Sequence, residues 1–241
     1  MRIKRIGLQV SLSHVPRSEP DYGVLHRAYR TLLAALGPQG WWPGETPLEV
    51  IVGAVLTQNT SWKNVELALD NLREANLLTP QALHGLPLEE LAELIRPAGY
   101  YRLKARRLMH LLDYLYQRHG GSLEAMFTTD LVTLREELLG INGIGPETAD
   151  SILLYAGGLP TFVVDAYTAR VLKRHGWIDF EADYHAIKEH FESSLPQDVS
   201  LYNEYHALLV HVGKHYCRKV PKCDLCPLAH LLPEGGAQEP G

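Results

Sequence analysis

From Leu25 onward, apolar residues recur at three- and four-residue spacings, and this periodicity constrains the chain to helices more than any other property it has. Leu48–Leu56, Val65–Leu72, Leu88–Ile95, Ala105–Tyr116, Leu131–Leu139 and Ala149–Ala156 all carry it, separated by Gly, Pro or polar breaks. No alternation of apolar and polar residues competes as a strand. Connections are short: Ala98-Gly99 precedes one segment, Gly120-Gly121 follows it, and Gly157-Gly158 with Pro160 ends another. The expectation is an all-α fold of roughly ten helices.

The 241 residues suffice for one large domain or two small ones with a buried core. Hydrophobic residues at 46% and charged residues at 21% exclude a disordered chain. No apolar run approaches the ~20 residues a membrane helix needs. The opening MRIKRIGLQVSLSH lacks a long apolar core and a small-residue cleavage site, so no secretory signal is expected and the location is taken as cytoplasmic. A net charge of −5 excludes a uniformly basic coat for nucleic acid but leaves room for local clusters. One is Arg96, Arg102, Lys104, Arg106, Arg107 and Arg118, opposed only by Asp113; the other is Lys214, Arg218, Lys219 and Lys222. Each is either a solvated face or a set of phosphate contacts.

The densest information lies in Leu138-Leu-Gly-Ile-Asn-Gly-Ile-Gly-Pro-Glu-Thr-Ala-Asp150. A helix stops at Gly140, a tight glycine turn follows, and Pro146 stands at a first helical position. Gly143 and Gly145 are expected to permit positive φ and a close backbone approach, so that amides around Ile144, Gly145 and Glu147 can face one phosphate. An ordinary glycine-rich helix connection is the alternative. Further on, Thr161-Phe-Val-Val-Asp165-Ala-Tyr-Thr-Ala-Arg170 places Asp165 before a new helix, where taken alone it is an N-cap.

The order of these parts resembles the helix-hairpin-helix DNA glycosylase superfamily, in its endonuclease III branch, from about Leu25 to Cys226. The resemblance implies that Asp165 is catalytic: it would stabilise positive charge on the sugar of a flipped nucleoside. Bifunctional members carry a lysine in the hairpin that forms a Schiff base; here Glu147 takes its place, in Gly143-Ile-Gly-Pro-Glu-Thr-Ala149. A carboxylate cannot form an imine, so hydrolysis that leaves an abasic site is expected.

Trp41-Trp-Pro43 and Gly53-Ala-Val-Leu-Thr-Gln58-Asn-Thr-Ser-Trp62, together with the hairpin glutamate, look like the 3-methyladenine DNA glycosylase III group. This implies a base pocket of Trp41, Trp42, Pro43 and Trp62, with Gln58 near the gap left in the duplex and Gly143, Ile144, Gly145, Glu147 and Thr148 against DNA. Core packing is the alternative for the tryptophans. An alkylated purine is cationic and suits indole faces, and it leaves as a neutral base. Asn59, Thr60 or Tyr100 could instead serve an oxidised pyrimidine, so an endonuclease III-type glycosylase and lyase is the second reading, with Lys104 or Lys214 as the amine. A catalytically inactive DNA-binding homologue is the third.

Cys217, Cys223 and Cys226 are too close together for a disulfide framework and read as metal ligands. Their C-x5-C-x2-C spacing resembles the iron–sulfur loop of endonuclease III, but Leu232 stands where that family has a fourth cysteine. A [4Fe-4S] cluster completed by His230, Asp224 or water, a [3Fe-4S] form, a zinc site and a metal-free remnant all remain. The domain expectation is a flexible arm over 1–20, one helical domain over 45–153, a second formed by 21–44 with 154–232, and a flexible tail over 233–241. The active cleft lies between the two domains, in a monomer that binds double-stranded DNA containing a damaged base and no membrane.

Overall fold

The computed structural model describes residues 23–239. They form twelve α-helices, one π-helical turn and short 3-10 turns, and no strand occurs among the described residues. In order these are α1 (Val24–Leu36), α2 (Pro47–Leu56), α3 (Trp62–Glu74), α4 (Pro80–His84), α5 (Leu88–Leu94), α6 (Tyr101–His119), α7 (Leu123–Phe127), α8 (Leu131–Leu139), α9 (Pro146–Ser151), the π turn (Ile152–Ala156), α10 (Ala166–Arg174), α11 (Tyr184–Ser194) and α12 (Val199–His215). The expected all-α fold is what forms. The arm assigned to 1–20 lies outside the described residues.

Helix starts are written in short polar side chains. Thr46, Thr79, Ser122, Asp130, Asp165, Asp183 and Asp198 each accept a backbone N–H from the third residue on. Pro47, Pro80 and Pro146 occupy first helical positions, where no amide hydrogen is needed. The five-residue helices α4 and α7 escape the periodicity because they are too short to display one; their caps alone announce them.

Two apolar cores form. One runs from Leu48 to Leu153 and is centred on α2, whose residues Leu48 to Leu56 are all buried. The other joins Leu25, Ala28 and Leu32 of α1 to residues between Leu154 and Leu228. An unbroken helix over Ala149–Ala156 is expected from the sequence, but α9 ends at Ser151 and a π turn follows. The wider turn rotates the residues beyond Ser151 about the axis, and Tyr155 meets α12. The tail makes two contacts with α10. Gln238 donates its backbone N–H to Arg174 O at 2.8 Å, and Glu239 pairs with the Arg174 guanidinium at 2.7 Å. No helix of the described residues is long and apolar enough to cross a membrane.

Candidate active site

The hairpin between α8 and α9 forms one wall of a cleft of about 880 Å3. Gly143 has φ +95°, and a Cβ there would lie 2.3 Å from the Arg107 side chain of α6, so only glycine fits. Gly145 differs from its expected role: with φ −93° it is ordinary extended backbone, and its Cβ position is open space. Ile144 is buried beneath the turn. Gln58, just beyond α2, locks the hairpin by donating to Gly143 O at 3.3 Å and to Thr148 Oγ1 at 2.9 Å. Arg107 donates in turn to Gln58 Oε1. These six residues and Glu147 all line the cleft, with Asn59 held at φ 53° beside them.

Asp165 lines the opposite wall with Tyr167 and Arg170. One carboxylate oxygen, Oδ1, accepts the Thr168 N–H at 2.7 Å and so caps α10. The other, Oδ2, lies 3.8 Å from His206 Nε2, and only 13% of the Asp165 side chain is exposed. Glu147 is open to the water of the cleft. The surrounding walls strip part of its solvation, and this loss and then the nearby Asp165 carboxylate raise its pKa to about 7. No lysine lines the cleft among the described residues.

The tryptophans form a chain of edge contacts beside this cleft. Trp41 meets Trp42 at 5.5 Å, and Trp42 meets Trp62 at 5.2 Å. Trp42, exposed Pro43 and Trp62 line a neighbouring hollow of about 640 Å3, whereas Trp41 lies against His206. The cleft wall itself holds none of the four. Trp62 Nε1 donates to Glu66, and Trp42 packs on Tyr155 at 5.0 Å. The aromatic set therefore backs the cleft and opens on its neighbour.

The basic cluster divides as well. Arg107 reaches the cleft, but Arg96 pairs with Glu93 and Arg118 with Glu137. Lys104, expected on a solvated or phosphate-binding face, is buried at 1% exposure and donates to Leu56 O and Ala98 O, both at 2.8 Å. Its amine is spent on carbonyls that would otherwise be orphaned. Lys214 is exposed, with Nζ 5.9 Å from the Trp41 ring. Tyr100, at the start of α6, is 72% exposed and lines neither hollow.

Cys217, Cys223 and Cys226 line one small hollow together with Arg174, His175 and Leu232; His230 and Asp224 do not. Arg174 Nη1 stands 3.7 Å from Cys217 Sγ, a cation placed to offset thiolate charge. Buried His175 donates its Nδ1–H to Val171 O, 2.7 Å away. Among the described residues, no three His, Cys, Asp or Glu side chains gather closely enough to hold a metal ion. Three thiols and one leucine do not make a four-thiolate set, so the residues present do not fit a fully cysteine-ligated cluster.

Sequence reasoning missed Tyr155, His206, Tyr167 and Arg170. Arg170 donates to Cys217 O at 2.6 Å and to Gly213 O at 2.9 Å, which ties the cleft wall to the cysteine segment. Gly213 permits that approach, since a Cβ would strike the Tyr167 ring at 2.5 Å. The only sequence signal was a histidine at 206 between the buried positions Tyr202, Tyr205, Leu208 and Leu209 of α12.

Known proteins share this architecture. Residues 52–197 match the HhH-GPD superfamily of base excision DNA repair proteins. The Methanocaldococcus jannaschii protein named "Putative DNA repair glycosylase MJ1434" is 50% identical over 87% of this chain and 96% of its own length. Endonuclease III of Thermotoga maritima is 30% identical, over 75% of this chain and 79% of its own. An endonuclease III–DNA complex superposes with TM-score 0.74 at 26% identity, covering 88% of this chain and 94% of that one. Helicobacter pylori 3-methyladenine DNA glycosylase, MagIII, bound to 1,N6-ethenoadenine, gives TM-score 0.67 at 31% identity, covering 78% and 94%. With the glycine hairpin on one wall of the cleft and a helix-capping aspartate on the other, the chain belongs to the HhH-GPD superfamily and is a DNA repair glycosylase.

Proposed function

We propose that the protein excises alkylated purines such as 3-methyladenine from double-stranded DNA by hydrolysis and leaves the abasic strand uncut. The observation that carries this reading is the cleft's donor set: two carboxylates, Asp165 and Glu147, and no lysine among the described lining residues. The hairpin amides take a phosphate of the lesion strand. Asp165 then faces the sugar of the flipped nucleoside. As the C1′–N bond breaks, its electron pair neutralises the cationic base, and positive charge appears on the sugar beside the Asp165 carboxylate. Water adds to C1′ and gives its proton to a cleft carboxylate. A base that departs neutral needs no strong acid, and the two carboxylates suit a cationic reactant. The similarity to MagIII supports the substrate class.

The test uses a labelled duplex carrying methylated bases, beside one carrying thymine glycol, each divided into untreated, alkali-treated and borohydride-treated samples. Methylated bases should be released, strand breaks should follow only after alkali, and borohydride should trap no adduct. Breaks without alkali together with a trapped adduct would establish the lyase reading, with exposed Lys214 as the amine. For the cysteine segment we propose that Cys217, Cys223 and Cys226, which line one hollow with His175, draw together on an iron–sulfur cluster whose fourth position is not a cysteine. Purified protein should then contain iron and sulfide and absorb near ~400 nm. Zinc, or no metal, would reject that assignment.

A further inference from the structure

Behind Asp165 stands a pair, a buried histidine and a half-buried tyrosine, that the chemistry described so far does not use. His206, on α12, is 4% exposed, with its Nδ1 2.6 Å from the Tyr155 hydroxyl of the π turn. Its other nitrogen, Nε2, is buried without a hydrogen-bond partner and lies 3.8 Å from Asp165 Oδ2. Burial and then Asp165 push the Tyr155 hydroxyl well above its ordinary pKa, so it remains a donor. Because an acceptor oxygen of Asp165 faces Nε2, the neutral imidazole carries its single proton there and Nδ1 accepts the Tyr155 O–H; the other tautomer would set a nitrogen lone pair against the carboxylate. Burial also favours the neutral ring, an effect opposed by Asp165 and assisted by Lys214.

The surroundings hold this arrangement in place. Trp41 approaches the His206 ring edge-on at 6.4 Å, and Trp42 packs on Tyr155 at 5.0 Å. A buried N–H with no partner is costly to keep, and a purely structural site would favour an apolar ring. Asp165 Oδ1 is already committed to the cap, so Oδ2 is the oxygen left to turn toward a sugar. A gap of 3.8 Å closes with a small carboxylate rotation, as catalytic hydrogen bonds do when substrate arrives.

We infer that Tyr155 and His206 form a positioning relay for Asp165: the Tyr155 hydroxyl fixes the imidazole tautomer, and His206 Nε2–H fixes the carboxylate that faces the sugar. The inference rests on the reading of Asp165 as the catalytic carboxylate. It also gives Trp41 and Trp42 a purpose in the reaction, as the packing that holds the relay.

The test compares full-length His206→Phe, His206→Gln and Tyr155→Phe proteins. Two quantities are measured: the single-turnover rate of base release from methylated duplex, and affinity for a duplex with a tetrahydrofuran abasic analogue. His206→Phe should slow release about tenfold or more, the worth of one hydrogen bond to a charged group, with abasic affinity nearly unchanged. His206→Gln, whose amide nitrogen can replace Nε2–H, should recover most of the rate. Tyr155→Phe removes one oxygen and should slow release less, and it carries the test if the histidine variants fold poorly. In protein labelled with nitrogen-15 histidine, the His206 ring should show a protonated Nε2 whose resonance shifts in Asp165→Asn. Wild-type release by His206→Phe, a parallel loss of abasic affinity, no recovery by His206→Gln, or an Nδ1–H tautomer would each overturn the relay. Wild-type release by Asp165→Asn would instead overturn the catalytic assignment on which it stands.

Discussion

At Glu147 the hairpin carries a carboxyl group whose ionisation falls within the working range of pH. Burial and Asp165 raise its pKa from the ordinary 4.5 to about 7. Below that value the Glu147 carboxyl is mostly protonated, and above it the group adds a negative charge to the cleft. Release of a cationic base builds positive charge on the sugar, so the excision rate should climb as pH passes about 7. Glu147→Gln should hold the rate near its low-pH level throughout; a profile unchanged by that substitution would detach the effect from Glu147. Stability responds in the opposite sense. The folded protein holds this proton more tightly than the unfolded chain, so the contribution of the group to stability falls as pH rises from 4.5 to about 7. The hairpin glutamate and Asp165 were legible because their chemistry sits in contiguous motifs. The partnership of Asp165 with His206 was not, since it joins residues 41 positions apart through a π turn that leaves no periodic trace.

Helix α6 shows why counting charges misleads where direction is unknown. Its cations suggest a DNA-facing surface, yet Lys104 falls at three- and four-residue spacing with Leu108, Leu111 and Leu115 and is buried with them. That stripe was visible in the sequence; the positive run around it concealed the meaning. Lys104 holds α6 to the end of α2 through Leu56 O and to Ala98 O, and burial, then Arg107, lowers its pKa to about 8. Lys104→Met would leave both carbonyls unpaired in a low-dielectric setting. It should cost about 1–3 kcal/mol of stability in denaturant titrations while leaving the salt dependence of DNA binding unchanged. A reduced salt slope would mean that Lys104 meets phosphate after all. The long helices were legible for the opposite reason: their apolar stripes repeat over enough turns to exclude a strand.

Across the whole molecule the two apolar cores are fastened at Asp150, which has no exposed surface. Arg135 of α8 donates to both of its oxygens at 2.7 and 3.0 Å, while Thr161 and Tyr184, from the far side, donate at 3.0 and 2.8 Å. Every strong acceptor position is filled, by groups drawn from both cores. Denaturant unfolding should therefore be one transition, coincident by helical circular dichroism and by tryptophan fluorescence, which samples Trp62 on one core and Trp177 on the other. Asp150→Ala would strand the Arg135 charge and should cost about 3–5 kcal/mol. Two separate transitions in the unaltered protein would show that the fastening is weak. If it holds, moving one wall of the cleft against the other must break the buried bonds at Asp150, so the cleft resists clamping. The duplex is then expected to be the partner that yields, bending and extruding a nucleoside into a gap whose width the fold sets. Part of the selection among bases then belongs to DNA mechanics, because a lesion that weakens stacking lowers the deformation energy before any side chain touches the base.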